Sequence, residues 1–159
     1  MIARVLWALS LSPPPLVFVA ALVLGLRLDA ARPWALVADG GGARAVATLG
    51  VALMAAGALF AASAIGLFVR HRTTIVPHHR SRALVTGGPF RVTRNPMYVA
   101  SAAVYVGVAL HANALWPLLL LALPLAFLQF VTIPREEALL RAAFADEYPS
   151  YAARVRRWL

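Results

Sequence analysis

"AVATLGVALMAAGALFAASAIGLFV", Ala45 to Val69, runs for about 25 residues without a charged side chain. At roughly 1.5 Å per residue a helix of that length exceeds the roughly 30 Å of a bilayer's hydrocarbon core, so it can span with some tilt. Gly50, Ala55, Gly57, Ala61 and Ala64 recur along it and offer small faces on which a neighbouring helix can approach closely. The rest of the chain agrees. Of its 159 residues 62% are hydrophobic and 13% charged, with a mean hydropathy of +0.77, a balance that excludes an ordinary soluble domain and makes the bilayer the solvent. The fold class expected is all-α, an integral membrane helical bundle of about four transmembrane helices plus a C-terminal amphipathic helix. One domain covers residues 1–159, with membrane helices in 1–70 and a loop, helical hairpin and C-terminal helix in 71–159.

Three further apolar segments complete the set. Pro13 to Leu28 is short for a span, so it draws on Ile2 to Leu11 or thins the membrane locally. Pro96 to Leu110 and Ala114 to Ile133 are separated only by His111, Ala112 and Asn113, which makes them antiparallel neighbours. Pro117 and Pro124 are expected to bend the second of the pair. Arg4 is a thin basic region and no small-residue cleavage motif closes the first apolar run, so that run reads as a retained span. If the spans alternate, one side receives Arg4, Arg70, Arg72, Arg80, Arg82, Arg91, Arg94, Arg135, Arg141, Arg154, Arg156 and Arg157, and the other only Arg27, Arg32 and Arg44. This asymmetry predicts cytoplasmic termini and a cytoplasmic 70–95 loop, in an inner (plasma) membrane of bacterial type.

The net charge of +9 is carried by arginine alone and lies between apolar spans, so it indicates membrane lipids as partners rather than nucleic acid. The absence of cysteine excludes disulfides, thiolate metal sites and a cysteine nucleophile. "GGGARA", Gly40 to Ala45, fits the loosest dinucleotide fingerprint. It lacks a preceding strand, and no acid follows until Glu136 to hold a ribose. His71, His78 and His79 cluster in the basic loop without a carboxylate near them in sequence, so no metal site is expected.

Polar chemistry concentrates in two places. "GPFRVTRNPMY", Gly88 to Tyr98, opens the third span, and Glu136 and Glu137 follow the fourth. Each has a bland explanation: Asn95 can cap a helix that Pro96 begins, arginines reach lipid phosphate, and carboxylates after Pro134 complement a helix dipole by about 0.3–1 kcal/mol. The hairpin, however, returns both to one membrane face. An arginine-rich loop, a helix N-terminus, a tyrosine and two carboxylates then share an interfacial pocket, suited to a ligand with both anionic and cationic ends.

"LVTGGPFRVTRNPMYVA" (Leu84–Ala100) with "EEALLRAAFADEYPSYAARV" (Glu136–Val155) resembles the isoprenylcysteine carboxyl methyltransferase family and its phospholipid methyltransferase relatives. The resemblance covers roughly the C-terminal half and implies S-adenosyl-L-methionine as cofactor without a Rossmann domain. By that resemblance Arg82, Ala83, Leu84, Val85, Phe90, Asn95, Pro96, Met97, Tyr98 and Glu136 line the cofactor, and Arg94 and Glu137 are the catalytic pair. In the lipid-cysteine enzymes a histidine stands where this chain has Asn95, and a substrate arginine where it has Thr132, with Arg135 able to supply a similar charge. The expected reaction is methyl transfer to a lipophilic or small acceptor entering from the bilayer, with the acceptor's carboxylate, thiol or amine left open. Proximity is worth up to about 7–11 kcal/mol in such a reaction. Two alternatives stand beside it: an NADPH-dependent enzyme resembling sterol reductases, and a non-enzymatic membrane anchor or assembly protein.

Overall fold

The computed structural model describes residues 14–70 and 84–159. Arg82, Ala83 and the His71, His78 and His79 cluster lie outside the described residues. Among them run α1 (Pro14–Ala31), α2 (Gly41–Arg70), a 3-10 turn (Gly88–Arg91), α3 (Pro96–His111), α4 (Leu115–Leu120), α5 (Ala122–Phe127), a π-helical turn (Leu128–Thr132), α6 (Ile133–Ala143) and α7 (Glu147–Ala152). Pro14–Ala31, Gly41–Arg70 and the continuous stretch Leu115–Ala143 are long and apolar enough to cross a membrane, and Pro96–His111 is a shorter apolar helix. The chain is an all-helical integral membrane protein. Leu59 and Phe130 are 72% and 77% exposed, which suits side chains solvated by lipid rather than water.

Of the small residues of α2, Gly50, Gly57 and Ala64 are buried, whereas Ala55 is exposed. A Cβ placed on Gly50 would lie 2.5 Å from the Gly107 carbonyl oxygen and 2.6 Å from the His111 nitrogen, so the backbones of α2 and α3 touch there. Without a hydrophobic force between helices in lipid, such close dispersion contact is a main source of their association. Gly25 plays the same part for α1 against Pro117.

The last apolar stretch stays helical along its length, with local departures from the α pattern. Pro124 has no N–H to offer the carbonyl one turn earlier, and the α-helical pattern breaks at Leu121. The π-helical turn at Leu128–Thr132 then inserts extra backbone per turn and re-aims α6 before its glutamates.

At one end of the bundle Asn113, at φ 52°, accepts a hydrogen bond from Val37 N and donates one to Val37 O. Trp116 Nε1 donates to Arg32 O at 2.8 Å and its ring meets Trp34 edge-on at 5.7 Å, an aromatic seal of the kind found at membrane interfaces. The opposite end carries the polar residues. There Ala64, Val85, Phe90, Tyr148 and Tyr151 form one buried cluster that fixes the glycine turn and α7 to the end of α2. A second cluster, Phe18, Ala21, Tyr105, Leu128 and Ile133, joins α1, α3 and the last span below it.

Candidate active site

Pro96 is buried at the first position of α3, as its fixed φ and missing donor favour. Asn95 occupies the N-cap position, yet its side chain caps nothing. Its Nδ2 instead donates to the Arg157 carbonyl at 2.9 Å. Thr93 Oγ1 donates to that same carbonyl at 2.8 Å and accepts from Asn95 N, while Arg94 N donates to Arg156 O at 2.8 Å. Thr93, Arg94 and Asn95 therefore hold down the C-terminal tail, and the bland reading of Asn95 as a side-chain helix cap does not hold.

The two glutamates, a single residue apart, have different surroundings. Glu137 is buried, with Arg94 Nη1 at 3.0 Å and Arg157 Nε at 2.8 Å from Oε1, and Arg157 Nη2 at 2.9 Å and Arg141 Nη2 at 3.1 Å from Oε2. A carboxylate offers about four acceptor positions, so this carboxylate is saturated by three guanidinium groups. Glu136 accepts one bond, from Tyr98 Oη to Oε1 at 2.5 Å. Its Oε2 has no protein partner among the described residues.

Arg94 also donates to the Tyr148 hydroxyl at 3.2 Å, and the Arg141 guanidinium lies over the Tyr148 ring at 5.8 Å. Burial pushes the Tyr148 phenol up, and the Glu137 carboxylate adds to it. Tyr151, which donates to Phe90 O at 2.7 Å, is pushed up to about 12 by burial. Both stay neutral donors and acceptors. Among the other residues singled out by sequence, Leu84, Val85 and Phe90 pack in the cluster around Tyr148, and Phe90 meets Phe68 edge-on. Met97 borders an apolar cleft between α1, α2 and α3. Thr132 has a buried hydroxyl without a partner, and Arg135 is exposed.

A comparison with protein families matches residues 45–147 to the family described as phospholipid methyltransferase. The chain belongs to the phospholipid methyltransferase family. Its members use S-adenosylmethionine. Comparisons with curated proteins and with solved structures found no match.

The polar residues of this family member fit such a cofactor. Buried polar atoms ordinarily have partners. Arg94 Nε and Thr132 Oγ1 have none among the described residues, and Glu136 keeps one oxygen unbonded by protein. A guanidinium donor and a carboxylate acceptor suit the carboxylate and the amine or ribose hydroxyls of S-adenosylmethionine. The match ends before Tyr148, Tyr151 and Arg157, which sequence reasoning also missed. Only Arg141, four residues after Glu137 on one helix face, carried a readable signal.

Proposed function

We propose that this enzyme transfers a methyl group from S-adenosylmethionine to the headgroup of a phospholipid, at the membrane face that holds Asn95 to Tyr98 and Glu136. One observation carries the reading: the motif serves two environments at once. Met97 forms part of an apolar cleft of about 220 Å³ together with Phe18, Leu22, Gly57 and Val104. The next residue, Tyr98, packs on the Phe18 cluster and ends on the Glu136 carboxylate. An acyl chain in the cleft would leave its headgroup beside that carboxylate, which favours an amino headgroup through its ammonium form.

S-adenosylmethionine supplies a methyl group already activated on a sulfonium. The protein's work is alignment and exclusion of water. Leu84, Val85, Phe90, Pro96 and Met97 furnish apolar walls, with Arg82 and Ala83 preceding them in the chain. Asn95 secures the tail, Tyr98 fixes the Glu136 rotamer, and Glu136 holds a cation or accepts its proton. Arg94 orients an anionic group through the Nε that has no partner among the described residues. Glu137, with every acceptor position taken, acts by positioning Arg94 and Arg157. A prenylcysteine carboxylate acceptor is the less supported reading, because Thr132 brings no charge and Arg135 is exposed.

The test is label transfer. Membranes containing the protein and methyl-labelled S-adenosylmethionine should yield label that extracts into organic solvent and migrates with phospholipid. Glu136→Gln should weaken S-adenosylhomocysteine binding or acceptor turnover at least tenfold, about 1.4 kcal/mol. Label found instead in base-labile methyl esters would overturn the phospholipid reading in favour of a carboxylate acceptor.

A further inference from the structure

A second cleft, of about 390 Å³, lies between the glycine turn and the C-terminal tail, lined by Thr86, Gly87, Arg91, Tyr151, Arg154 and Val155. It is distinct from the residues assigned above. We propose that this cleft is an oxyanion site that takes the phosphate of a membrane lipid headgroup, held by Arg91 and Arg154.

Charge argues for it first. Arg91 comes from the 3-10 turn and Arg154 from the segment after α7, so two elements converge two guanidinium groups on one opening. No carboxylate lines it. The ion pairs among the described residues all end on Glu137, which Arg94, Arg141 and Arg157 already saturate. Two like charges with no counter-ion among the described residues raise the local potential and favour an anion, and guanidinium suits phosphate oxygens in a bidentate fork.

The walls are fixed. Tyr151 ties α7 to the turn through its bond to Phe90 O, and Val155 N donates to Tyr151 O. Arg154 Nε is bonded to Ser150 O at 3.2 Å, which steadies the side chain while its terminal nitrogens have no protein partner among the described residues. Gly87 is open to the same space. A Cβ built on it would meet nothing within 4 Å, and its φ of −90° suits any residue, so neither packing nor strain demands a glycine there. Lipid is the favoured source of the oxyanion because apolar side chains adjoin it: Val155 in the wall, and Val92, next to Arg91, 56% exposed. A free phosphate shares the chemistry. The proposal does not rest on the acceptor reading, since any phosphate-bearing lipid would satisfy the cleft.

The experiment is calorimetry on the full chain in a maltoside detergent, with three probes: short-chain phosphatidylglycerol, inorganic phosphate and S-adenosylhomocysteine. The wild type should bind phosphatidylglycerol with an affinity that falls as salt rises. The double variant Arg91→Gln, Arg154→Gln should lose at least about tenfold of it, as removal of charge-assisted bonds predicts, with S-adenosylhomocysteine affinity kept. Gly87→Leu should show the same loss with the charges intact, because the side chain fills the cleft. Competition by inorganic phosphate in the wild type, absent in the double variant, would support the oxyanion site and show that a free anion also enters it. Undiminished phosphatidylglycerol binding in both variants would overturn the site. Loss of S-adenosylhomocysteine affinity with lipid affinity kept would overturn it too and give the cleft to the cofactor.

Discussion

Glu136 and Glu137 stand one helical position apart, about 100° around α6, and that rotation separates a carboxylate with a single tyrosine bond from one bound by three arginines. Among the described residues Glu136 keeps an oxygen without a partner, whereas Glu137 binds three arginines, of which Arg94 is 13% exposed in its side chain and Arg141 54%. The exposed Arg141 arm should contribute only about 0.3–0.5 kcal/mol, as helical pairs at that spacing do. The arms to Arg94 and Arg157 carry the energy. Removing one partner of a buried pair strands the rest, so Glu137→Gln should cost about 3 kcal/mol, read as a lower melting temperature. It should also free the tail, seen as faster tryptic cleavage after Arg154 and Arg156. If Glu137→Gln instead keeps both stability and protease resistance while abolishing turnover, Glu137 acts directly on a ligand and the positioning role is wrong.

Among the elements, α2 and α3 depend most on what their small residues omit. Gly107 has Met54 Cγ at 2.6 Å and Gly50 O at 2.7 Å from where a Cβ would stand, and the second of these is backbone that cannot swing away. Gly107→Val should therefore destabilise the detergent-solubilised protein by about 3 kcal/mol, the upper end for overpacking. Gly66, on α2, has nothing within 4 Å. Gly66→Ala should be neutral or stabilising by about 0.5–1 kcal/mol, since glycine only costs entropy there. Equal melting temperatures for the two variants would mean that α2 and α3 do not make this close approach in the membrane.

The whole molecule is polarised, with the tryptophan-sealed loops at one end and the motif, glutamates and tail at the other. Charge is distributed the same way, because Arg91, Arg94, Arg135, Arg141, Arg154, Arg156 and Arg157 belong to the motif end and Arg27, Arg32 and Arg44 to the other. We expect the motif end to face the cytoplasm by the positive-inside rule. The native chain has no cysteine, so single cysteines report cleanly. Ser150→Cys should react with an impermeant thiol reagent only after the membrane is opened, and Ala43→Cys in intact cells. The reverse pattern would invert the protein, and equal labelling would break the alternation of spans.

How much of this was legible in the sequence divides along a physical line. Length and hydropathy add up residue by residue, so the apolar spans, the tight hairpin at His111 to Asn113 and the close-packing glycines of α2 could be read without coordinates. The likeness carried by "RNPMY" and the glutamate pair pointed to a membrane methyltransferase, and the family match agrees. Partner identity does not add up in that way. Asn95 and Arg157 are 62 residues apart, Arg157 and Glu137 are 20 apart, and Tyr151 and Phe90 are 61 apart. Nothing in local pattern says which of many arginines will reach a buried carboxylate, or that an asparagine before a proline will bond a distant carbonyl rather than cap its own helix. Those choices were made by the tertiary structure, because in a dry interior each buried charge and donor must find whichever group the folded backbone brings within about 3 Å.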